Sequence, residues 1–354
     1  MKIDHIEVRR EDMALARPYT IAFNTFTEVS NVVAEIHTDT GVVGIGAGSP
    51  APLITGESPE ESLAALEESA LDLRGATIDL AELTNRVQES YLAAPAARAA
   101  LDMALYDAVA LEAKVAVVDL IGRCHSALPT SITIGIKDTV PEVLAEADEY
   151  FARGFTVLKI KLGRSVADDI ELLGTLRDHA GPKVAIRVDP NQGYTIADLN
   201  RFFSETEALD LEFIEQPLGH ERDEDLLSLS EDDRRRVAAD ESLHSPGDAH
   251  RLAGPPLLTG IFNIKLMKCG GITPALSIAD VADATGTELM WGCMDESVVS
   301  IAAALHAALG SPATRYLDLD GSLDLGRDFA AGGFDLANGV MRTLNKPGLG
   351  INVL

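Results

Sequence analysis

Three acids and a lysine stand at nearly equal intervals, each closing a short apolar run. VAIRVD ends on Asp189, LEFIE on Glu215, RRVAAD on Asp240 and IFNIK on Lys265, separated by 26, 25 and 25 residues. That interval accommodates one strand, one helix and two loops. Each group then falls at the carboxyl end of a successive parallel strand, where a barrel assembles its active site. Three carboxylates at one mouth repel one another unless a cation sits among them. An all-oxygen set selects a hard ion, Mg²⁺ first, because it accepts few carboxylates and leaves positions for substrate oxygens; Mn²⁺ suits the same donors. A single strand-end acid reads as a helix cap or an arginine partner, whereas three in series read as a metal site.

On the preceding run, VLKIKL, Lys159 and Lys161 are two residues apart and so share a face. Lysines inside a strand are costly to bury. Lys265 stands opposite them across the barrel. Neighbouring cations and a metal disfavour an ammonium and make its lysine a usable base. Two lysines flanking a metal-bound carboxylate can remove an α-proton from one face and return it to the other, with the metal stabilising the enediolate between.

The elements that must carry these groups follow from the rest of the chain. Its 354 residues exceed the roughly 250 of a single barrel. Eight runs (SITIGI, TVLKIKL, KVAIRVD, LEFIE, RRVAAD, IFNIK, ELMWGC and RYLDLD) alternate with helical patterns such as PEVLAEADEYFARG and ITPALSIADVADATG. The fold class is α/β, a modified TIM (β/α)8 barrel over residues 126–320, its last helix weak or missing. Residues 1–125 read as an α+β capping domain, strands first and then helices, one opened by Ser58 and Glu61 as a capping box. LARPYTIAFNTFTE, without periodicity, reads as a loop. Residues 321–354 return toward the cap.

The net charge of −27 repels phosphate, which argues against nucleic acid and acidic membrane surfaces. It suits a solvated acidic surface or the steering of a cationic substrate, and charge alone does not separate these. No apolar run is long enough to span a bilayer, and MKIDHIEVRR alternates like a strand where a signal peptide has an apolar core. Cys124, Cys269 and Cys293 have neither disulfide-framework nor zinc spacing, so a reducing cytoplasm is expected.

KIK, RVDPNQGY, FIEQP, ADES and NIKLMKCGGIT together resemble the muconate-lactonizing subgroup of the enolase superfamily, a likeness that covers essentially the whole chain. It implies that Asp189, Glu215 and Asp240 bind Mg²⁺ and that Lys161 and Lys265 are the acid/base pair. Lys159 becomes the electrostatic neighbour of Lys161, and Lys268 a near-site or structural lysine. SPAPLITGES and YLDLDG are similar to stretches of the dipeptide epimerases, in which the Asp318 and Asp320 positions receive the substrate α-ammonium. Extra carboxylates at the mouth repel a dicarboxylate and suit a free amine. The resemblance therefore implies a Mg²⁺-dependent dipeptide epimerase that moves the α-proton of the C-terminal residue. Its substrate would be covered by the loop around Tyr19 to Thr27 and by Ser49 to Gly56. The alternative on the same scaffold is an o-succinylbenzoate synthase, an N-acylamino acid racemase or a muconate-type cycloisomerase. A symmetric homo-oligomer, such as an octamer, is also implied.

The departures bear on specificity. Members acting on Ala-Glu carry an arginine where this chain has Asn24, so acidic dipeptides lose their partner. In GCMDES, Asp295 replaces a commonly apolar residue; it either binds a Lys or Arg side chain of the substrate or caps the following helix. His306, on the apolar side of that helix, is expected in the core.

Overall fold

The structure, a computed structural model, describes residues 1–20 and 25–354. Asn24 lies outside the described residues. The chain opens with an antiparallel sheet of β1 (Ile3–Thr20), β2 (Thr25–Thr38) and β3 (Val43–Gly48), in that order. Here the loop expected over LARPYTIAFNTFTE is corrected. β1 and β2 continue as a paired ribbon that joins Tyr19 to Phe26 and Thr20 to Thr25, with a register irregularity after Ala14. Backbone pairing in a hairpin does not require an alternating apolar face, so periodicity was the wrong signal there.

Three helices follow: α1 (Pro59–Asp72), α2 (Leu80–Ser90) and α3 (Pro95–Ala113). Ser58 and Glu61 form the capping box at the start of α1, as their spacing implies. β3 lies on α3 with Gly44, Gly46 and Gly48 facing Ala104, Ala100 and Ala96. A Cβ at Gly46 would collide with the Ala100 carbonyl, which explains the glycine alternation of this strand.

After the short α4 (Val117–Ile121) and β4 (Leu128–Pro129), the barrel begins with β5 (Ile132–Ile134). Its further strands and helices are α5 (Val140–Ala152), β6 (Val157–Lys161), α6 (Val166–Ala180), β7 (Ala185–Asp189), α7 (Ile196–Thr206), β8 (Ile214–Glu215), α8 (Glu231–Arg235), β9 (Val237–Ala239), α9 (Pro246–Ala253), β10 (Ile261–Ile264), α10 (Leu266–Cys269), α11 (Ile272–Thr285), β11 (Glu288–Gly292), α12 (Val298–Leu309) and β12 (Thr314–Asp318). Neighbouring strands pair in chain order from β5 to β12, all parallel. A parallel bridge of Thr130 to Leu317, with Ser131 N–H on the Leu317 carbonyl at 3.0 Å, joins the last strand to the first. After β12 comes only a 3₁₀ turn, Gly321–Asp324, in place of the eighth helix.

The two parts share one core. Met13, Val33 and Met103 from the first lobe pack in the same cluster as Phe262, Met267 and Trp291 from the barrel. Asp102 on α3 accepts the Ile272 and Thr273 N–H groups at 2.6 and 3.1 Å, which caps α11 from across the lobe boundary. The C-terminal segment also bridges the parts. Its hairpin strand Val340–Thr343 pairs with β4, and Leu349 N–H reaches Asp107 of α3 at 2.7 Å. His306 is in the core, where its Nδ1 accepts the Val118 N–H at 2.9 Å.

Candidate active site

Parallel pairing puts Lys159 and Lys161 on β6, Asp189 at the end of β7, Glu215 at the end of β8, Asp240 just past β9 and Lys265 just past β10. β6 and β10 are four strands apart in a ring of eight, so Lys161 and Lys265 approach from opposite sides. Both line a cavity of about 350 Å³ that also takes Ser49, Asn191, Glu241, Asp295, Asp318 and Asp320.

Asp189, Glu215 and Asp240 each lie against a buried lysine. Asp189 receives the Lys161 ammonium at 2.5 Å, and its other oxygen accepts the Asn191 N–H at 2.8 Å. Asp240 holds Lys265 at 2.7 Å and Lys268 at 2.6 Å on separate oxygens, and Lys268 also donates to the Asp240 carbonyl. Lys268 thus anchors Asp240 from behind. Glu215 accepts from the Asn263 amide at 2.8 Å. Lys159 lies 2.7 Å from Glu215, 2.9 Å from Asp318 and 3.4 Å from Asp189, a single ammonium shared by three acids.

The oxygens of Asp189, Glu215 and Asp240 do not all come within 4.8 Å of one another among the described residues. Burial works against the Lys161 and Lys265 ammonium forms, but the surrounding carboxylates, Asp189 foremost at Lys161 and Asp240 foremost at Lys265 with Glu215 adding to both, together raise both above an ordinary lysine.

The residue set still fits a hard divalent ion. Glu215 Oε2, out of hydrogen-bond alignment with Lys159, is sealed from solvent without a hydrogen-bond partner, as are Asn191 Oδ1 and Glu241 Oε2. Burial and then neighbouring Asp189 push Glu215 up to about 8, and burial and then Asp240 push Glu241 up to about 7. A crowded, all-oxygen, anionic donor set of this kind is suited to Mg²⁺.

Asp318 is committed on both oxygens, to Lys159 at 2.9 Å and to the Ser131 hydroxyl at 2.5 Å. Asp320 accepts the Thr133 N–H at 2.7 Å on one oxygen and leaves the other beside Cys293 Sγ at 3.9 Å. The alternatives for Asp295 are separated here. Ser297 caps α12, and Asp328 accepts the Val298 N–H at 2.8 Å, so Asp295 is not the cap and instead lines the cavity. Burial and then Asp324 push it up to about 7. Asn191, Glu241 and Asp324 join the wall without having been singled out as site residues. The first two lie within the DPNQG and ADES motifs, a usable signal, whereas Asp324 sits on the 3₁₀ turn with none.

The family description Enolase C-terminal domain-like matches residues 142–354, and mandelate racemase / muconate lactonizing enzyme, N-terminal domain, matches residues 4–122. The chain belongs to the enolase superfamily. Within that superfamily it is 52% identical over 353 residues to an L-Lys-D/L-Arg epimerase of Methylococcus capsulatus, covering 99% of both chains. It is 33% identical to a hydrophobic dipeptide epimerase of Enterococcus faecalis, over 99% of this chain and 100% of that one. The crystal structure of the dipeptide epimerase from Methylococcus capsulatus complexed with Mg and the dipeptide L-Arg-D-Lys superposes with a TM-score of 0.97 at 52% identity, covering 100% of both chains. No helix among the described residues is long and apolar enough to cross a membrane.

Proposed function

We propose that this member of the enolase superfamily is a Mg²⁺-dependent epimerase of dipeptides with cationic side chains. The carrying observation is the pair Lys161 and Lys265, approaching one cavity from opposite strands, with Asp240, Glu241, Asp295, Asp318, Asp320 and Asp324 in its wall. Such a wall attracts ammonium and guanidinium groups and repels dicarboxylates. The relatives described as acting on Lys and Arg dipeptides point the same way.

Asp189, Glu215 and Asp240 would hold the ion. Bound Mg²⁺ supplies the positive charge that offsets the negative charge developing on the substrate carboxylate as the α-proton leaves. Lys161 and Lys265, on opposite faces of the α-carbon of the C-terminal residue, take the proton from one face and return one to the other. Lys159 fixes Asp318 and Glu215 between them. Asp320, with its freer oxygen, and Asp318 receive the α-ammonium, and Asp295 takes a cationic side chain. Residues 1–125 form the cap, with Ser49 to Gly56 over the mouth, 126–320 the barrel, and 321–354 the strap between them. A homo-oligomer in a reducing cytoplasm completes the proposal, supported by three free cysteines and by Leu71 and Leu92 left in the open.

The test is deuterium incorporation at the α-carbon in deuterated water with Mg²⁺ and pooled L,L-dipeptides. Incorporation led by Lys- and Arg-containing peptides is expected. Exchange led by N-succinyl amino acids, or only by hydrophobic peptides, would remove the proposal.

A further inference from the structure

Far from the barrel mouth, at the open end of the β1–β2 ribbon, two histidines face each other across the strands. His5 pairs with His37 in the ladder, and two residues along on the same face Glu7 pairs with Glu35. His5 Nε2 is 3.4 Å from Glu7 Oε1, and His37 Nε2 is 3.9 Å from the same oxygen. A tetrahedral ion with ligands near 2.0–2.1 Å spaces them about 3.4 Å apart, so these separations are close to a ligand set already. Among the described residues this is the only trio of His, Cys, Asp or Glu whose ligand atoms all lie within 4.8 Å.

Three further features point the nitrogens at a ligand. His5 Nδ1 meets the Asp4 carboxylate at 3.0 Å, the outer contact that fixes a histidine tautomer and leaves Nε2 with its lone pair free. His37 Nε2 is sealed from solvent without a hydrogen-bond partner. Glu35, held by Arg9 at 2.5 Å through one oxygen, keeps the other 3.9 Å from His37 Nε2. Binding would turn the rings out of the stack they form here, with centroids 4.3 Å apart and planes 10° from parallel, so that both lone pairs meet one ion. Two imidazoles with carboxylate suit a borderline transition metal and not Mg²⁺.

We propose that His5, Glu7 and His37 form a second metal site, for a divalent transition ion of the Zn²⁺ class, which clamps the two long strands of the first lobe. Glu35 or water completes the shell. The ion is structural, since the cluster lies at the Ile3–Thr38 end of the ribbon and none of its residues lines the cavity of Lys161 and Lys265.

The experiment titrates Zn²⁺ into the full, untagged chain under saturating Mg²⁺, by calorimetry and by thermal unfolding, for the native protein and for His5→Gln/His37→Gln. The native chain is expected to bind one equivalent more than the double variant and to gain about 2 °C or more in Tm that the variant lacks. Dipeptide proton exchange should be the same in both. Glu7→Gln, a change at an exposed side chain, should weaken the extra equivalent and serves if the double variant is unstable. Equal stoichiometry and equal thermal shifts in native and variant chains would overturn the proposal, as would no Zn²⁺-dependent shift in the native chain.

Discussion

The barrel mouth and the cover above it are built on opposite plans. At the mouth, Lys159, Lys161, Asp189, Glu215, Asp240 and Lys265 are all buried, stand on or just past barrel strands, and have charged partners within 2.9 Å. The Ser49 to Gly56 segment is tethered lightly, by Ser49 N–H on the Met267 sulfur at 3.0 Å and Ser49 Oγ on the Asp295 carbonyl at 3.2 Å, and Leu53 is 70% exposed. A charge network that dense keeps its geometry because moving one member strands another in a low dielectric. An exposed loop can vary without that cost. Under the proposed function, chemistry is fixed in the barrel, and selectivity is left to the cover and to the acids at the rim.

Perturbations of the mouth should therefore far exceed those of the cover. Chelating the metal is expected to lower epimerisation about a thousandfold or more, because a bound ion supplies several kcal/mol to developing charge, with Mg²⁺ restoring it; a turnover assay with and without chelator measures this. At the rim, Asp295→Asn should lower kcat/KM for Lys- and Arg-containing dipeptides by about ten- to a hundredfold, the worth of a charged hydrogen bond. Parallel kinetics on a Leu-Leu peptide should show little change, and an equal loss on both peptides would contradict the side-chain role.

Between the two regions lies the packing of the cap. Gly46→Ala drives a methyl into the α3 backbone and should destabilise the fold by about 1–3 kcal/mol, read as a lower denaturation midpoint. Leu53→Ala, on the exposed cover, should stay within about 0.5 kcal/mol in stability. Its kcat/KM should change less than that of Asp295→Asn, and a larger loss would mean that the cover does more than shield.

The same contrast explains what the sequence could show. Eight alternating runs made the barrel legible, and the terminal residue of each run made Asp189, Glu215, Asp240 and Lys265 legible, because strand ends and βα spacing are local facts. Which lysine each acid would meet was not legible, since that depends on side-chain torsions across neighbouring strands. Nor was the extension of the ribbon through Thr20 and from Thr25, which rests on backbone pairing. Asp295 stayed ambiguous until Ser297 and Asp328 were seen to cap α12. Asp324 reaches the cavity from a 3₁₀ turn that no periodicity marks.

The central claim is that two lysines serve opposite faces of one carbon. Lys161→Ala and Lys265→Ala should each be incubated in deuterated water with Mg²⁺ and both epimers of a Lys-Arg dipeptide, scoring α-carbon deuterium by mass spectrometry. Each variant is expected to lose epimerisation and to retain exchange with one epimer only, the two variants retaining opposite ones. Full epimerase activity in Lys265→Ala, or exchange confined to the same epimer in both variants, would contradict the account.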